Sequence, residues 1–85
     1  PKELMNAQLL NFFRRSRDEE ADSITLERIG ALTEEVSIHD LIAPLELGAR
    51  GFRAAFRAIY AGLLQANTRE LITPLSIIRP REGCK

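Results

Sequence analysis

The chain has 85 residues, of which 45% are hydrophobic and 28% charged, with 12 basic and 12 acidic side chains, one Cys and one His. That is one folded domain, too apolar for full disorder, and no stretch approaches the roughly 18 apolar residues of a membrane-spanning helix. One Cys and one His exclude an intrachain disulfide and a closed zinc site within one chain; with no triad, Cys–His pair or glycine-rich phosphate loop in the sequence, no catalytic residue, metal or cofactor is assigned. The zero formal charge hides three blocks: +3 over residues 1–17, −8 over 18–46 and +5 over 47–85.

Met5, Leu9, Phe12, Phe13 and Ser16 share one face at helical spacing, which predicts an amphipathic helix over 3–17 with Phe12 and Phe13 in the core. Its last turn presents Arg14, Arg15 and Arg17, which suit a helix C-terminus and form a basic patch. Leu9 to Phe13 is too short, and too soon followed by charge, for a signal peptide. A membrane-surface helix is disfavoured by the acidic run Asp18-Glu19-Glu20, which anionic lipid would repel.

That run reads as a solvated turn leading to a second helix over 24–36, capped by Asp22 or Ser23 and carrying Thr25, Ile29, Leu32 and Val36 at helical spacing. Gly30 within it costs up to about 1 kcal/mol relative to Ala. Thr25 to Thr33 looks like the opening of a helix-turn-helix. The turn, however, carries Glu34 and Glu35 where Gly is needed, and the acidic block is poorly suited to a groove of phosphates. Ser37-Ile38-His39-Asp40 reads as a new helix start capped by Ser37, with His39 on the surface.

Pro44 suits a first helical turn, so the third and longest helix is expected from Pro44 to Ala66. Leu45, Phe52, Phe56, Ile59 and Leu63 form its apolar stripe. Ala55, Ala58, Gly62 and Ala66 form a small-residue stripe beside it. Asn67 and Glu70 match a capping box, predicting a short helix over 68–73 before Pro74. Leu75 to Ile78, between prolines, is a helical turn or a short strand. The tail, residues 80–85, is expected to be flexible, and its lone Cys84 fits a reducing compartment.

Arg50, Arg53 and Arg57 fall on one helix face and span roughly 10 Å along its axis. Such a row can follow phosphates, with Tyr60 one turn on as a hydroxyl donor and Arg14, Arg15 and Arg17 as a second patch. Enzyme chemistry is not expected, because neighbouring carboxylates such as Glu34 and Glu35 point in different directions on a helix. The alternative is that the acidic block neutralises these arginines across helix contacts. The chain would then be a protein-interaction module, an adaptor or anti-regulator with no nucleic-acid role, whose charged blocks meet complementary partners. The discriminating feature is whether the arginines form one open surface or are consumed by the acids.

The run Phe56-Arg57-Ala58 to Leu63-Leu64, on an Arg-bearing helix followed by a polar break, resembles the small RNA-silencing suppressors of insect nodaviruses. With its flanks it covers a quarter of the chain. The resemblance implies a viral, all-helical homodimer that lies along double-stranded RNA and contacts its backbone without reading sequence, through Arg50, Arg53 and Arg57, in the host cytoplasm. The combined expectation is an all-α fold, three main helices plus a short C-terminal element in a helical-bundle homodimer, with sequence-independent binding of double-stranded RNA as its function.

Overall fold

A computed structural model describes residues 2–15 and 18–80, the side chain of Arg15 excepted. The element order is α1 (Lys2–Arg15), α2 (Glu19–Gly30), β1 (Val36–Ser37), α3 (Ile38–Ile42), a 3-10 turn (Ala43–Leu45), α4 (Ala49–Tyr60), β2 (Leu64–Ala66) and β3 (Ile77–Pro80). The all-α expectation is therefore corrected. The helices carry a three-stranded antiparallel sheet in the order β1-β3-β2, which makes the fold mixed.

The sheet forms where the long third helix was expected to continue. Gly62 adopts φ +82°, a left-handed conformation that costs glycine little. The Gly62 N–H donates to the Ile59 carbonyl at 3.1 Å and the Leu63 N–H to the Ala58 carbonyl at 2.9 Å. Those two bonds are a Schellman motif with Gly62 just beyond the helix end. The chain reverses there, and Leu64, Gln65 and Ala66 pair with Pro80, Arg79 and Ile78. The helix expected over 68–73 is not formed. Asn67 Oδ1 instead accepts from the Arg69 N–H at 3.1 Å, closing a turn rather than starting a helix. The Pro44 start is displaced as well: Pro44 sits in the 3-10 turn, and α4 begins after Gly48 at φ +58°.

Helix α2 starts at Glu19, earlier than expected, because Asp18 is its N-cap and accepts from the Ala21 N–H at 3.1 Å. Acids fill the first turn and Arg28 the last, both favourable to the helix dipole. Ser37 caps α3 through the Asp40 N–H at 3.1 Å, as its spacing predicts.

Helix α4 is central. Its Ala55 and Phe56 are fully buried, with Ile38, Leu41, Leu64, Ile72 and Ile78 around them. Phe13 meets Phe56 edge to face at 5.1 Å, and Tyr60 stacks on Phe56 at 5.5 Å. A Cβ on Gly51 would come within 3.2 Å of Ile42 Cβ, so Gly51 allows α3 and α4 to approach. The inward face of α1 is Asn6, Leu10 and Phe13; Phe12, expected in the core, is 61% exposed. Asn6 accounts for this rotation. Its Nδ2 donates to the carbonyls of Thr68 at 3.1 Å and Glu70 at 2.8 Å, and its Oδ1 accepts from the Ile72 N–H at 3.1 Å. A buried amide with three bonds fixes which face of the helix points in. No helix among the described residues is long and apolar enough to cross a membrane.

Candidate interaction surface between α2 and α4

The spacing of Arg50, Arg53, Arg57 and Tyr60 does place them along one side of α4, but much of that side is turned toward the start of α2. Arg50 Nε and Nη2 grip Asp18 at 2.6 and 3.0 Å, and Nη2 also reaches Glu20 at 2.6 Å. Arg57 Nε and Nη2 both donate to Asp22 Oδ1, at 3.1 and 2.6 Å. Its remaining nitrogen, Nη1, donates to the Phe13 carbonyl at 3.3 Å, satisfying one of the orphan acceptors at the end of α1. The Arg57 side chain is only 12% exposed. The acidic run thus clamps α4 to α2, and Arg57 adds α1 to the same joint.

The electrostatics follow from that geometry. Hydrogen bonds from Arg50, then the one from the Ala21 N–H, hold the Asp18 carboxyl well below the ordinary aspartate value. The same pairing raises the Arg50 guanidinium above its already high value. Tyr60 is half-buried against Phe56, and loss of water pushes its phenol up.

Of the other basic residues expected at a phosphate surface, Arg14 is exposed at the end of α1 and Arg53 is half-buried on α4. Neither has an ion-pair partner among the described residues. The Arg15 side chain and Arg17 lie outside the described residues, as do Cys84 and the rest of the tail beyond Pro80. Arg28 is turned inward and donates to the Leu41 carbonyl at 3.3 Å. His39 is exposed and lines, with Glu46, Phe52 and Pro74, an open hollow of about 530 Å³. No group of three or more His, Cys, Asp or Glu suited to a metal occurs among the described residues.

A second feature lies beside the arginine joint. Between α2 and α4 runs a cavity of about 130 Å³, lined by Asp22, Thr25, Leu26 and Ile29 on one side and Ala54, Arg57, Ala58, Ala61 and Leu63 on the other. The alanines at 54, 58 and 61 recur at helical spacing, and their small size leaves the hollow. Leu26 and Leu63 are 45% and 38% exposed on its banks. Thr25 is 1% exposed, yet its Oγ1 has no hydrogen-bond partner among the described residues. In the sequence Thr25 and Ile29 read only as core positions of a helix. A lone Thr at a core position carries no signal that its hydroxyl will go unmatched.

No protein-family model matches the chain, and no curated protein or solved structure matches it either.

Proposed function

We propose that this chain is a protein-interaction module that binds a polypeptide through the α2–α4 surface. The observation that carries this reading is the fate of the arginine row: Arg50 and Arg57 bond to Asp18, Glu20 and Asp22. A phosphate would have to displace carboxylates already in place, one of them in bidentate contact. Outward charge over the middle of the chain is acidic, with Glu19, Glu27, Glu34, Asp40 and Glu46 all exposed. Exposed acids repel a nucleic-acid backbone and suit basic residues on a partner. Leu26 and Leu63 supply apolar contact on the α2–α4 surface. The duplex-RNA reading is left with Arg14 and Arg53 among the described members of its two patches. The run behind the nodavirus resemblance is divided between the end of α4 and β2.

Selection from a displayed random-peptide library, run beside a gel-shift titration with duplex RNA at low salt, tests the proposal. Peptides that combine apolar and basic residues should be enriched, and Leu26→Asp should abolish their binding. Saturable binding of duplex RNA, with no peptide enriched, would overturn it and return the arginines to first place.

A further inference from the structure

Leu75 is 80% exposed, the most exposed large apolar side chain among the described residues. A surface leucine alone means little. This one sits at the tip of a turn that is fully specified. The Ser76 N–H donates to the Thr73 carbonyl at 2.9 Å. The Thr73 N–H donates to Ser76 Oγ at 2.9 Å, and the Leu75 N–H to Thr73 Oγ1 at 3.2 Å. The carbonyls of Pro74 and Ser76 accept from the N–H groups of His39 and Ile38 at 2.8 and 2.9 Å. Every residue of the turn is therefore tied down, yet the turn uses only the backbone of Leu75. Turns are built mainly from Gly, Pro, Asn, Asp and Ser, so the leucine side chain is not there to make this one. It is a rigid apolar knob, and a knob held in place loses little freedom on binding.

The residue before it, Pro74, lines the open hollow formed by α3, the 3-10 turn and the start of α4, with Ile42 and Phe52 among the apolar lining and His39 and Glu46 exposed beside them. Knob and hollow thus adjoin on one face. A partner for this face must offer an apolar side chain to the hollow and a cover to Leu75. The chain itself carries both, side by side, so a two-fold rotation meets both needs at once, as a self-complementary interface requires. The polar residues agree. An imidazole N–H and a carboxylate are a matched donor and acceptor, and a two-fold sets His39 of one copy against Glu46 of the other.

We infer that the occupant of this face is a second copy of the chain, with Leu75 of each copy seated in the hollow of the other. At helical spacing, Ala49 and Phe52 lie on the side of α4 opposite Ala54, Ala58 and Ala61, so the dimer leaves both α2–α4 grooves open. The inference does not depend on what those grooves bind.

The test is sedimentation velocity of the whole chain from roughly 10 µM to 1 mM, with isotope-filtered NMR on a mixture of methyl-labelled and unlabelled chains. A reversible monomer–dimer equilibrium is expected, with cross-chain contacts from the Leu75 methyls to the Phe52 ring. Leu75→Asp should weaken dimerisation about a hundredfold or more, because symmetry removes two knobs at once, and should leave the unfolding temperature unchanged. Ala49→Trp, at an exposed position lining the hollow, should block the dimer from the other side. An equimolar mixture of the two variants should recover part of it, since the hollow of the first and the knob of the second are intact. A dimer that survives Leu75→Asp, by way of Leu4, Met5 and Phe12 on α1 for example, would overturn the inference. So would failure of the mixed variants to recover. A monomer throughout would overturn it too, and library peptides that then lose binding on Leu75→Asp would give the face to another protein.

Discussion

Asn6 in α1 and Thr25 in α2 are both buried polar side chains on helices, and they sit in opposite circumstances. Asn6 makes three hydrogen bonds to the 68–72 backbone. Thr25 Oγ1 makes none among the described residues. A satisfied buried amide specifies how two segments join, whereas an unsatisfied hydroxyl is an energetic cost that packing alone does not require. The α1–loop junction is therefore finished as architecture. Beside the α2–α4 groove, by contrast, one buried hydroxyl is left unmatched.

The largest expected effect falls on the finished side. Asn6→Ala leaves two carbonyls and one N–H without their partner and should cost roughly 3 kcal/mol, measured by urea unfolding. A loss near zero would mean that water replaces the amide, and the contrast with Thr25 would collapse. Arg57→Ala comes next. It unpairs Asp22 and the Phe13 carbonyl and should cost roughly 2 kcal/mol, less than a fully buried pair because Asp22 keeps part of its water.

Asp18 gives a smaller, pH-dependent effect. Its folded pKa is depressed, so its contribution is fully present above the ordinary value of 3.8 and is lost as pH falls below that, through the folded value. Asp18→Asn retains an N-cap residue but removes the charge facing Arg50. The variant should be less stable than wild type at neutral pH, and the two should converge as pH falls below about 4. A constant difference across that range would show that Arg50 contributes nothing through the charge of Asp18. The smallest effect belongs to Thr25→Val, which should be neutral or stabilising by up to about 1 kcal/mol, because it deletes an unmatched hydroxyl and keeps the shape. A clear loss of stability would reveal a partner for Thr25 and remove the contrast from the other side.

The helices were more legible in the sequence than the joints between them. Ser37 announces the start of α3 through its spacing to Asp40. The central place of α4 follows from its alternating Phe, Ile and Ala. The sheet is missed because Gly62 reads equally as a member of a small-residue stripe and as a helix stop. What decides between them is the pairing of Ala66 with Ile78, a contact between segments with no local signature. The face of α1 is misjudged because apolar Phe12 outranks polar Asn6 in any hydrophobic pattern. The signal that was present is the spacing of Asn6, Leu10 and Phe13, at helical intervals of four and three. The charge blocks foreshadow the arginine joint only through the alternative reading, in which the acidic block neutralises these arginines across helix contacts. Only the fold shows that Asp18, Glu20 and Asp22 meet Arg50 and Arg57 in particular. The groove has no counterpart in the sequence, because it is the space left where three alanines face Leu26 and Ile29.

The central claim is that Arg50 and Arg57 of α4 belong to the fold and leave binding to the groove beside them. A double-mutant cycle on Arg57 and Asp22, read by urea unfolding of Arg57→Ala, Asp22→Ala and the pair, tests it most directly. A favourable coupling of about 1–2 kcal/mol is predicted, with the double variant hardly less stable than Arg57→Ala alone. Additive losses with no coupling would contradict the account and free Arg57 for a partner outside the chain.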